Sequence, residues 1–101
     1  MNTSDFASNL SPNHQDLDTH RAEIDAIDDG IFILLEKRLH AAKKISKIKK
    51  ETGKEIKDPQ REVQLFQRLK EKFKNTEYDD EKLLEIWGKI IELSRDVQAG
   101  R

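Results

Sequence analysis

Cysteine is absent from the 101 residues, which removes disulfides, thiolate metal ligands and cysteine nucleophiles together. Proline occurs twice and glycine four times, so few positions interrupt helices. Neither charge sign dominates: 19 Lys and Arg stand against 20 Asp and Glu, and no global field draws the chain to nucleic acid or to an anionic membrane. No apolar run approaches the roughly 18 residues of a membrane span. His14, His20 and His40 show no ligand-like spacing. No Ser or Thr stands beside a base in a recognisable arrangement, and no glycine-rich phosphate loop is present. The first fifteen residues, MNTSDFASNLSPNHQ, lack the basic start and apolar run of a secretory signal. They read as a disordered polar tail (1–15) before one domain at 16–101, in a cytoplasmic setting.

What is present is helical patterning. A charged fraction of 39% and a mean hydropathy of -0.86 describe narrow apolar stripes beside wide solvated faces. From Ile24 the apolar positions fall at 24, 27, 31, 34, 41, 45 and 48, which predicts a helix from about residue 16 to about residue 50, stopped at Gly53. Gly30 lies inside it at about 1 kcal/mol relative to Ala, a cost that suggests close packing. A second helix is expected from Asp58-Pro59, with Leu65, Phe66, Leu69 and Phe73 inward and a stop at Asn75-Thr76. A third opens near Asp79-Asp80 and presents Leu83, Leu84, Trp87, Ile90 and Ile91. The expected class is all-α, three helices per chain.

Polar groups interrupt each stripe. Arg38 fills the missing member of the first, Glu62 stands four residues before Phe66, and Ser94 and Gln98 continue the series through Trp87 and Ile91. Each has an ordinary explanation taken alone: a register-setting Arg38, a dipole-compensating Glu62, a back-bonded Ser94, a frayed Gln98. Together, four inward polar groups on three helices cost free energy unless they meet partners or a polar ligand. Lys43, Lys44, Lys47, Lys49, Lys50 and Lys54 form a basic run, but Glu51 and Glu55 dilute it and no aromatic interleaves it, so it reads as a solvated face. Lys49 stands out because it lies roughly 16 Å along the axis from Arg38 on nearly the same face, a spacing suited to bracketing a small anion. Arg61 is the other oddity, a cation in a first turn where the dipole disfavours it by about 0.3–1 kcal/mol.

A first helix of about 35 residues would extend roughly 50 Å, whereas a compact chain of this size has a radius of gyration near 13 Å. Two shorter helices cannot cover such a stripe, so an intertwined homodimer is expected. Arg21 would lie roughly 25 Å from Arg38 on the same helix, too far to share a small ligand unless the partner chain delivers its own Arg21.

The order Arg21 in "HRAEIDAID", Arg38 in "LLEKR", Lys49 in "KISKIKK", "DPQRE" at 58–62 and "IIELSRDVQ" at 90–98 resembles the all-helical AroQ class (type II) of chorismate mutases. The resemblance covers residues 21–98 and implies a homodimer of three-helix chains with no cofactor and no metal. It implies rearrangement of chorismate to prephenate in phenylalanine and tyrosine biosynthesis, without a covalent intermediate. By the same resemblance Arg38 and the partner's Arg21 bind the two substrate carboxylates, with Arg61 close by. Lys49 and Gln98 donate to the ether oxygen, Glu62 accepts from the ring hydroxyl with help from the backbone at Asp58, and Ser94 lies near a carboxylate. Lys57 replaces an arginine found in some relatives, exchanging a planar fork for a point charge. The fused domains of some members are not seen, so a monofunctional enzyme is expected. Two alternatives stand: an isochorismate-pyruvate lyase of the same fold, against which Glu62 and Ser94 speak, and a non-catalytic helical dimerisation module.

Overall fold

The structure, a computed structural model, describes residues 14–53, 55 and 58–101. The expected tail falls almost wholly outside these residues, as do Lys54 and Lys57. Three helices follow in order: α1 (His14–Thr52), α2 (Pro59–Phe73) and α3 (Asp80–Gln98). There is no strand among the described residues. No helix among them is long and apolar enough to cross a membrane.

Local chemistry sets each boundary. Lys49 and Lys50 occupy the last turn of α1, where cations complement the dipole. Gly53 then takes φ +74°, a left-handed conformation that costs glycine no Cβ clash. At α2 the Asp58 carboxylate accepts the Arg61 backbone N–H at 3.1 Å, and Pro59 fills the first helical position, whose N–H would have no partner. The α2 helix ends at Phe73, where the Thr76 hydroxyl donates to the Phe73 carbonyl at 2.9 Å. Asp79 caps α3 by accepting from the N–H groups of Glu81 and Lys82 at 2.9 and 3.3 Å.

The chain packs as two units, Met1–Glu36 and Lys37–Arg101. In the second, α2 and α3 meet through Leu65, Leu69 and Ile91, with Phe66, Phe73, Leu84 and Trp87 packed around them. The Phe73 and Trp87 rings lie 5.6 Å apart at 56°, a tilted aromatic contact. Phe73 meets Trp87 near one end and Glu62 meets Arg95 near the other, so the two helices run antiparallel, as a short connection favours. The last part of α1 joins them through polar bonds: Arg38 donates to the Ser94 hydroxyl, and the Ser46 hydroxyl donates to the Gln98 carbonyl at 2.9 Å.

Within the first unit the helical stripe is uncovered. Ile24, Ile27, Ile31 and Leu34 expose between 56% and 66% of their surface, so the seam predicted by their spacing is uncovered among the described residues. The same holds at Gly30, where an added Cβ would meet nothing within 4 Å; the close packing that its cost suggested has no counterpart among the described residues.

Leu69 sits at the centre of the α2–α3 contact and is 5% exposed. Leu69→Ala is expected to lower unfolding free energy by about 2–4 kcal/mol, read by urea denaturation at fixed protein concentration.

Candidate active site

A cleft of about 420 Å³ opens in the second unit, bounded by the last part of α1, the start of α2 and the end of α3. Its apolar floor comes from Ala41, Ala42, Ile45, Leu65 and Ile91, residues of the helix stripes themselves. Around that floor stand Arg38 and Lys49 from α1, Asp58, Arg61 and Glu62 from the capped start of α2, and Ser94, Arg95 and Gln98 from α3. Seven positions singled out in the sequence therefore converge on one cavity. Arg21, the eighth, belongs to the first unit and does not line it.

The polar lining is arranged before any ligand arrives. Ser94 is buried, its hydroxyl donating to the Ile90 carbonyl at 3.0 Å while accepting from the Arg38 guanidinium. A hydroxyl carries one proton, so Ser94 in this state orients Arg38 and has no donor left for a ligand. The modest expectation for Ser94, a back-bonded helix residue, is thus met, and the same residue lines the cleft. Glu62 is held by Arg95 through two parallel bonds, Nε to Oε2 at 2.8 Å and a terminal guanidinium nitrogen to Oε1. This fork fixes the plane of the carboxylate as well as its place. Gln98 is anchored from behind by Ser46, which takes its backbone carbonyl and leaves the side-chain amide at the cleft.

Electrostatically the cleft favours anions. Four cationic side chains, Arg38, Lys49, Arg61 and Arg95, face two acidic ones, Asp58 and Glu62, for a net charge of +2. Burial lowers the pKa of Arg38 below its ordinary value, and the charge of Arg61 lowers it further. Arg95 moves the other way, held charged chiefly by its hydrogen bonding to Glu62. Among the described residues no group of three or more His, Asp or Glu side chains is placed to hold a metal.

Arg95 was not singled out by the sequence reading. The signal was there, since it follows Ile91 by four residues, the spacing that marks Gln98 after Ser94. What the helical period alone does not show is that its partner is Glu62, 33 positions earlier.

A net-positive cleft of this size, with Arg38 and Glu62 held by partners across helices, suits a helical protein to a small anion. Comparison narrows the class. The profile of the family described as chorismate mutase type II matches residues 20–99, and the chain belongs to that family. A chorismate mutase of Methanocaldococcus jannaschii is 32% identical over 78 residues, covering 77% of this chain and 79% of that protein. No solved structure matches the chain.

The lowered pKa of Arg38 fixes the sign of a stability effect. The unfolded chain binds this proton more tightly than the folded one, so holding the charged guanidinium in the cleft opposes folding at every pH below that range. A bound carboxylate offsets that cost. Arg38→Met is expected to leave the ligand-free protein no less stable at pH 7 by urea unfolding. It is also expected to abolish the stabilisation that a dicarboxylate such as malonate should give the unsubstituted chain, about 2.7 kcal/mol at a hundredfold excess over Kd.

Proposed function

We propose that the chain is a cytoplasmic enzyme that rearranges chorismate to prephenate in this cleft, supplying phenylalanine and tyrosine biosynthesis. The observation that carries the reading is the convergence of Arg38, Lys49, Asp58, Arg61, Glu62, Ser94 and Gln98 on one cavity of net charge +2. Chorismate is a dianion, and its rearrangement is unimolecular. The reaction asks its catalyst for conformational restraint and for hydrogen bonds where charge develops, and it needs neither nucleophile nor redox group.

In this reading Arg38, oriented by Ser94, and Arg21 of the partner subunit each take a substrate carboxylate, with Arg61 adding to the positive field. Clamping both carboxylates selects the folded arm geometry from an unproductive ensemble, a saving of entropy and misorientation. Lys49 and Gln98 then donate to the ether oxygen as its C–O bond breaks and negative charge grows there. Such donors are preorganised for the transition state, and loss of one typically costs about 10²–10³ in rate. Glu62 accepts from the ring hydroxyl, with the Asp58 cap holding the start of α2 in place.

The homodimer is part of the same proposal. Its supports are the uncovered seam at Ile24, Ile27, Ile31 and Leu34 and the absence of Arg21 from the cleft lining. A second copy laid along that seam would bury it and could bring its own Arg21 to the cleft as a further cation. Light scattering is expected to return twice the 11.8 kDa chain mass, and a mass of one chain would overturn the shared site.

Purified protein incubated with chorismate is expected to yield prephenate. No turnover, with pyruvate released from isochorismate instead, would move the chain to lyase activity on the same fold. Arg38→Ala is expected to lose catalysis while keeping a helical dimer by circular dichroism and scattering; disrupted assembly would favour a structural role. Because Gln98 is neutral at every pH, no alkaline loss of activity should trace to it.

A further inference from the structure

The cleft contains an internal competitor for its own cations. Glu62 is a carboxylate on the wall of a cavity that also presents Arg38, Lys49 and Arg61, and a carboxylate there is drawn to the same groups that would receive a substrate's carboxylates. The fork from Arg95 is what holds it elsewhere: two parallel hydrogen bonds from one rigid guanidinium, on the side of α3. Glu62 keeps one further lone pair on each oxygen, so an acceptor remains available for a hydroxyl group.

We propose that Arg95 is a positioning residue that sequesters Glu62, keeping its carboxylate off the cationic clamp and aimed at the ligand's hydroxyl. The inference rests on the reading of Glu62 as hydroxyl acceptor for its catalytic half; the clamp-clearing half stands on the cleft alone. Arg95 is the residue able to do this because it offers both arms of a planar fork to a partner that is 21% exposed. Its own charge is secured by the same contact. A lysine at this place would supply a point charge without the fork, and Glu62 would be free to pivot about it.

Binding of malonate, a dicarboxylate probe, to the full-length chain tests the clamp directly by calorimetry, with no turnover required. Arg95→Met is expected to weaken malonate binding by roughly 10-fold, the scale of one charge-assisted hydrogen bond. Adding Glu62→Ala to that variant is expected to restore the affinity, because the competitor is gone. Arg95→Lys keeps the net charge and loses the fork, so it separates geometry from field, and weakened binding in this variant is expected. Malonate affinity unchanged in either single variant, or still weak in the double one, overturns the proposal.

Chorismate turnover by the unsubstituted chain judges the proposed activity by itself. Given turnover, Arg95→Met should lower kcat/KM by roughly 10–100-fold with a raised KM, and should cost nothing further in a Glu62→Ala background. Additive losses would mean that Arg95 contacts substrate on its own account, and the positioning role would fall. Should Arg95→Met fail to fold by circular dichroism, the Arg95→Lys variant carries both measurements with the same expected directions.

Discussion

Two guanidinium groups of like charge held toward one cavity are the constraint on which the rest of the second unit depends. Arg38 is partly desolvated and feels Arg61, so the apo protein carries an electrostatic cost that its packing must cover. The cover is the contact of α2 on α3 through Leu65, Leu69 and Ile91, which lies beside the cleft and supplies part of its floor. Ser94 and the Asp58 cap then hold the charged groups in place, the first through a side-chain bond to Arg38 and the second by fixing where α2 begins. Stability and binding capacity draw on the same few residues in opposite directions, as is common where a site is assembled in advance of its ligand.

Neighbouring residues of α2 divide the labour. Arg61 and Glu62 are adjacent in sequence, carry opposite charge and both reach the cleft, yet they are not paired with each other in the structure's hydrogen bonds. Adjacent residues on a helix point about 100° apart, which lets one take the field of Arg38 and the other the fork of Arg95. The helix cap makes this possible because it sets the rotational phase of everything after Asp58. An arginine that opposes the dipole is tolerated there because an exposed first-turn cation costs only about 0.3–1 kcal/mol.

Much of this was legible in the sequence because helices write their faces in a fixed period. The α2 start at Asp58-Pro59, the stop at Gly53 and the inward placement of Arg38, Glu62, Ser94 and Gln98 all follow from local rules that need no tertiary information. The pairing of Glu62 with Arg95 was not legible, since it joins two helices whose relative rotation is set by how Leu65 and Leu69 seat against Ile91. The division of Ser94's single proton was hidden for the same reason: the period placed the hydroxyl inward, and only the position of Arg38 decided which groups it meets. Gly30 taught the converse lesson, because a helix-weakening residue implies a neighbour and the described residues supply none.

The bond from Ser46 to the Gln98 carbonyl has a consequence for motion. Gln98 is the last residue of α3, a position that ordinarily frays because its carbonyl has no partner further along the helix. Ser46, buried on α1, supplies that partner from outside. The final turn of α3 is therefore tied to another helix, so exchange of its amide hydrogens should respond to loss of α1 docking as well as to unwinding of α3.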